Sequence, residues 1–223
     1  RMERCGIRSI SAIVDITNYV MLELGQPLHA FDNAQLQGAI HVRLPHAGEK
    51  LTLLNGQEVT PSADTVLIAD EARVLALGGI MGGESSGVTD ATRDIFLESA
   101  FFTPDAIVGK ARALGFSTDA SFRFERGVDF NLQRTAIERA TQLVLDICGG
   151  VPGPVSETLA QAALPVTQPV RLRAARARKV LGIDIDNASM GAMLDRLGVT
   201  WSQDGDAFVV TPPSYRFDME IEE

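Results

Sequence analysis

At 223 residues and 45% hydrophobic content, the chain can bury one good core and keep enough for a second, smaller unit. No stretch approaches the roughly 18 uninterrupted apolar residues of a membrane span, and the N-terminal RMERCGIRSI lacks the apolar core of a signal peptide, so a soluble, cytoplasmic protein without a membrane partner is expected. A net charge of −9 argues against holding nucleic acid by general phosphate attraction, and Cys5 and Cys148, far apart and outside any CxxC pair, support neither a disulfide framework nor a zinc cluster.

In chain order, the apolar residues Ile10, Ile13, Val14, Val20, Met21 and Leu24 recur at three- and four-residue steps and predict one helix over 9–24, closed by Gly25 and followed by Pro27. A loop is expected from there through Asp32. Segments 39–44, 50–54, 57–60, 65–70 and 73–79 are short and rich in Val, Ile, Leu and Thr, and Asn55-Gly56 between two of them marks a hairpin. A further strand over 95–99 precedes Thr103-Pro104-Asp105, which opens a helix that Gly115 closes. A longer helix runs from about Phe130 to Cys148, with Leu132, Ala136, Ile137, Ala140, Leu143, Val144 and Ile147 as its buried stripe and Gly149-Gly150 as its end.

Scattered Pro and Gly without a sustained period then mark a boundary, giving a first domain over 1–150, a linker over 151–166 and a small domain over 167–223. The small domain reads as a strand at 170–173, a basic helix near 176–181, a helix at 188–197, and strands 199–202 and 207–211 joined at Asp204-Gly205. With 20 Gly, 10 Pro and only 6% aromatics, the fold class is α+β: a β-rich mixed domain with flanking helices, then a small winged-helix-like α/β module. Both ends read as cut, the second inside the acidic, helical-looking run RFDMEIEE, which leaves the small domain truncated.

Four stretches could carry chemistry. Thr17 and Asn18 are polar in a helix otherwise suited to burial, and a buried amide or hydroxyl needs a partner. His29 follows in the expected loop, while His41 in a strand and His46 in a turn build no metal site with it. The run Gly78-Gly79-Ile80-Met81-Gly82-Gly83 brings backbone N–H groups close to something; it fits an oxygen-binding loop or a tight turn, and no Gly-Lys-Ser/Thr follows to make it a Walker loop. Glu98 interrupts an apolar strand, so it must pair with a cation, for which Arg123 and Arg126 are candidates, or meet a ligand.

DITNYV, ELGQPLHAFD, ALGGIMGGESSGV, LESAFF and TDASFRFERGVD together, in this order, resemble the beta subunit of bacterial phenylalanine–tRNA ligase along essentially the whole chain. The resemblance implies that residues 1–150 are an editing domain, which hydrolyses tyrosine from mischarged phenylalanine tRNA, and that the aminoacylation site lies in a separate alpha subunit. It implies as partners tRNA(Phe) carrying tyrosine, the alpha subunit and the remainder of the beta subunit, with no cofactor for editing and with magnesium and ATP for the whole ligase. Glu98 would meet the phenolic hydroxyl, with backbone N–H from the Gly79 to Gly82 loop as companion. Thr17, Asn18 and His29 would lie near the ester, Gly82 and Ala120 would keep the pocket wide, and Arg8 would meet the tRNA terminus. The family's magnesium ligands follow Arg216-Phe217-Asp218; only Asp218 stands at such a position, and one carboxylate makes a poor magnesium site. Water, aligned by His29 or Asn18, would attack the ester, with backbone donors offsetting the oxyanion charge. The alternative is a non-catalytic module that braces the ligase and contacts tRNA.

Overall fold

A computed structural model describes residues 1–216 and 218–222, which divide into two compact units, Arg1–Glu157 and Thr158–Glu223. The class is mixed α+β, with several small antiparallel sheets.

In the first unit, helix α1 (Ala12–Leu24) is capped by the Ser11 side chain and ends at Gly25, whose φ of 78° requires the left-handed region that glycine tolerates. Strand β1 (Leu28–Asp32) follows directly, where a loop was expected, and pairs antiparallel with β8 (Ile95–Ser99) about seventy residues on. Between them lie β2 (His41–Arg43), β3 (Leu51–Thr52), β4 (Glu58–Val59), β5 (Leu67–Ala69), β6 (Val74–Leu77) and β7 (Met81–Gly82). Strands β3 and β4 form the hairpin that Asn55-Gly56 predicted, and the other four make a sheet in the order β2-β5-β6-β7.

The helix expected over 103–115 is two short ones, α2 (Pro104–Ile107) and α3 (Lys110–Ala113), because Gly109 adopts φ 75° and breaks the run. Helix α4 (Asp119–Phe124) carries a reciprocal capping box between Thr118 and Ser121. Helix α5 (Gln133–Cys148) buries Ala136 and Ala140 completely, whereas Ile147 at the end of the expected stripe is exposed.

Side-chain alternation along β1 and β8 sorts the unit into two cores. Leu28 and Leu97 belong to a cluster with Ile16 and Val20 of α1 and Ala136 and Ala140 of α5. On the opposite face, Phe31 and Phe96 join the main core with Leu53, Leu67, Leu75, Leu77, Phe102 and Phe124. His29 and Glu98 share the parity of Phe31 and Phe96, so they point to the main-core side.

The second unit runs β9 (Val170–Arg173), α6 (Ala174–Leu181), α7 (Asn187–Arg196), β10 (Thr200–Asp204) and β11 (Ala207–Thr211), with the sheet ordered β10-β11-β9. Phe208, Val210, Met190 and Ala174 centre its core. This is the helix pair plus β-hairpin wing read from the sequence. In the acidic tail, Phe217 and Glu223 lie outside the described residues; Asp218 to Glu222 form no helix, and the Glu222 carboxylate instead binds the Arg173 backbone N–H at 2.9 Å and its guanidinium.

Candidate functional site

His29 and Glu98 are directly opposite each other in the β1–β8 ladder. The turn between β6 and β7 approaches them, and α4 closes the other side. Together they line a pocket of about 430 Å³, counting the space open to solvent, with Pro27, Leu28, Leu77, Gly78, Gly79, Ile80, Met81, Gly82, Ala120 and Phe124 among its walls. Of the residues singled out in the sequence, His29, Glu98, Gly79, Gly82 and Ala120 are brought together here.

The walls are mostly apolar, and that decides the electrostatics. The Glu98 carboxyl makes no hydrogen bond or ion pair among the described residues, and desolvation pushes it up to about 7. The cations considered for it are engaged elsewhere: Arg123 pairs with Asp119 at 2.8 Å and Arg126 with Glu125 at 2.5 Å. His29 stacks edge-on against Phe31, its ring centroid 4.5 Å away, and its Nε2 is buried without a hydrogen-bond partner among the described residues. Burial lowers its pKa to about 4, so the imidazole is neutral near pH 7.

The glycine run forms the tight turn that was one of its two readings, and it also lines the pocket. Gly78 N–H donates to Val66 O at 2.8 Å and Ile80 N–H to Leu77 O at 3.0 Å. Gly79 N–H has no backbone acceptor among the described residues, which narrows the turn's free donors to that one amide. Gly79 holds φ 68°, and a Cβ there would stand 3.0 Å from Phe102 and 3.1 Å from Ile107. At Gly82 a Cβ would stand 2.7 Å from His29 Nε2, so the imidazole occupies the volume a side chain would need.

Thr17, Asn18 and Arg8 are not among the pocket walls. Thr17 is buried and donates its hydroxyl to Val14 O at 2.9 Å within its own helix, which satisfies it. Asn18 is half-buried and its side-chain amide makes no hydrogen bond among the described residues, and Arg8 is exposed. The sequence reading missed Gln26, which is fully buried just before the first pocket residue. A glutamine next to a proline between two elements looks like loop, and only its burial marks it out.

No group of three or more His, Cys, Asp or Glu among the described residues is placed to hold a metal ion. Asp218 instead accepts two bonds from Arg216, at 2.8 and 3.2 Å, which hold its carboxyl below the usual range. Among the described residues, none of these carboxylates is arranged as a magnesium site. No helix among the described residues is long and apolar enough to cross a membrane.

Residues 1–149 match the family model for the B3/4 domain, and residues 170–223 match that for the tRNA synthetase B5 domain. The chain belongs to the B3/4 domain family, with a B5 domain after it, and its relatives are beta subunits of phenylalanine–tRNA ligase. It is 66% identical over 223 residues to the phenylalanine–tRNA ligase beta subunit of Aromatoleum aromaticum and 60% identical to that of Dechloromonas aromatica. All of this chain is covered in both cases, and it spans 28% of the length of each relative. An N-terminal fragment of the phenylalanyl-tRNA synthetase beta-subunit from Pyrococcus horikoshii aligns with 93% of this chain and 61% of its own length, at 12% identity and a TM-score of 0.42, too distant to weigh. The family resemblance read from the motifs is borne out.

Proposed function

We propose that the first unit is the editing domain of a cytoplasmic phenylalanine–tRNA ligase, hydrolysing tyrosine from tRNA(Phe) during protein synthesis. The alpha subunit, the rest of the beta subunit and tRNA are its partners. The observation that carries this reading is a Glu98 carboxyl without a partner among the described residues, set in a mostly apolar pocket beside His29 and the glycine turn. An apolar synthetic site rejects a substrate that merely adds a hydroxyl by only about 10², whereas a site built to bond that hydroxyl rejects the analogue lacking it by roughly 10⁴ to 10⁵. Tyrosine would satisfy Glu98 and the Gly79 N–H, and phenylalanine would leave both dry and unpaired.

Neutral His29, whose Nε2 has no partner among the described residues, is suited to orienting a water by hydrogen bonding. A pKa near 4 makes it a weak base, so its contribution is alignment more than proton removal. Roles for Thr17, Asn18 and Arg8 at the ester and tRNA end rest on the family resemblance alone. Magnesium and ATP belong to the whole ligase, and no step proposed for this pocket uses either.

The deciding assay is release of tyrosine from preformed tyrosyl-tRNA(Phe), compared with phenylalanine from phenylalanyl-tRNA(Phe). Wild-type protein is expected to prefer the tyrosyl ester strongly, and Glu98→Ala to lose most of that preference; an unchanged preference in Glu98→Ala refutes the assignment. For the second unit a non-catalytic bracing role is favoured, because arginines of its basic stretch are taken up in internal pairs: Arg171 with Asp204, Arg173 with Glu222 and Arg178 with Asp206.

A further inference from the structure

The β1–β8 ladder begins with Leu28 opposite Ser99 and continues with His29 opposite Glu98. One step outward, the same register sets Pro27 opposite Ala100. Proline has no N–H, so its backbone cannot donate to the Ala100 carbonyl, and the ladder has to end there. The carboxamide of Gln26 supplies the missing donor: its Nε2 donates to Ala100 O at 2.8 Å and to Pro27 O at 3.0 Å. Its Oε1 accepts from Gln133 Nε2 at 3.0 Å, and that same nitrogen donates to Asp129 O at 2.8 Å. Ser99 Oγ, next to Glu98, donates to Gln133 O at 2.9 Å.

Both hydrogens of each amide are thus used, and the bonds join three segments: the entry to β1, the exit of β8 and the first turn of α5. Gln26 is completely buried, so none of this can be exchanged for water without opening the unit. A register error of one residue would turn either His29 or Glu98 to the α1–α5 side of the sheet and separate the two. The clamp sits two residues from Glu98 and three from His29, where such an error would start.

We propose that Gln26, relayed by Gln133, is a positioning residue of this pocket: its carboxamide replaces the ladder bond that Pro27 cannot make and so keeps His29 and Glu98 opposed inside the cavity. The kinetic consequence rests on the hydrolytic reading of the pocket, and the structural consequence does not.

The test uses Gln26→Met, which keeps the volume and deletes the three bonds, and Gln133→Met, which leaves both donations from Gln26 intact. Two readouts are taken. The first is the pH titration of the His29 imidazole by NMR, tractable because the chain has 3 histidines. The second is kcat and KM for deacylation of tyrosyl-tRNA(Phe). In Gln26→Met the His29 midpoint is expected to climb from about 4 toward the ordinary histidine value as water reaches the ring, and kcat to fall on the order of 10- to 100-fold with KM within about threefold. Gln133→Met should move both readouts the same way by less, and the double variant should be no worse than Gln26→Met alone. Folded variants that melt earlier but keep the wild-type His29 titration and kcat overturn the proposal and leave Gln26 a purely structural amide. If Gln26→Met does not fold, Gln133→Met decides on the same criteria. A wild-type protein that fails to release tyrosine sinks the hydrolytic reading, while the His29 titration still judges the clamp.

Discussion

His29 and Glu98 face each other across β1 and β8, and burial drives both toward their uncharged forms, one by lowering a base to about 4 and the other by raising an acid to about 7. Their effects on stability therefore have opposite signs. Between the ordinary glutamate value of 4.5 and about 7, the unfolded chain has released the Glu98 proton and the folded one has kept it, so Glu98 makes stability fall as pH rises. Between about 4 and the ordinary histidine value of 6.5, the unfolded chain has taken up a proton that folded His29 refuses, so His29 makes stability fall as pH drops. In the overlap the two slopes oppose each other. Urea melts across this range should show stability falling with rising pH in His29→Gln and rising with pH in Glu98→Gln, by roughly 1 to 3 kcal/mol each relative to wild type. Parallel curves for all three proteins would place both side chains in water.

Gly82→Ala tests how closely the β7 backbone approaches the imidazole. The new methyl would stand 2.7 Å from His29 Nε2 and 3.1 Å from Leu54 Cδ1, so the ring has to turn away. Deacylation should fall at least about tenfold, with a stability loss of roughly 1 to 3 kcal/mol from overpacking. Wild-type kinetics in a crystal or solution state with an unmoved His29 would contradict this packing.

Ala120→Leu separates pocket width from fold. Ala120 lines the cavity from α4, whose N-terminus is fixed independently by Thr118 and Ser121, with Thr118 Oγ1 accepting from Ser121 N at 2.9 Å. The added carbons should fill ligand space and weaken tyrosine binding by at least about tenfold, while the melting temperature moves by only about 2 °C. A normal tyrosine affinity, measured by calorimetry, would mean that the ring does not sit beside α4.

What the sequence made legible was local. Helices α1 and α5, the Asn55-Gly56 hairpin and strand β8 follow from periodicity, capping residues and turn chemistry within a few positions of each other. Strand β1 was not legible, because Leu28 to Asp32 follows a proline and gains its identity from a partner strand about seventy residues on. The helix at 103–115 failed for a different reason: a glycine inside an apolar run can be tolerated or can break it, and Gly109 at φ 75° breaks it. In the pocket, Glu98 could be found as a charge in an apolar strand, and the glycine turn by its composition. The Gln26 clamp could not, since its three arms come from positions 26, 100 and 133.

The second unit bears on a larger claim, that a basic helix implies RNA binding. Arg171, Arg173, Arg176, Arg178 and Lys179 cluster in sequence, yet Arg171 lies 3.3 Å from Asp204, Arg176 lies 3.9 Å from Glu222, and Arg178 lies 2.6 Å from Asn187 and 3.8 Å from Asp206. Charge already neutralised within the unit releases few counterions when a phosphate arrives, so the salt dependence contributed by these residues should be shallow. Arg171→Ala should leave tRNA affinity within about twofold of wild type at low salt and the slope of log affinity against log salt unchanged. Since exposed pairs contribute little, its melting temperature should also move by less than about 2 °C. A slope lowered by about one unit would instead assign Arg171 a phosphate of its own and turn this face into a binding surface.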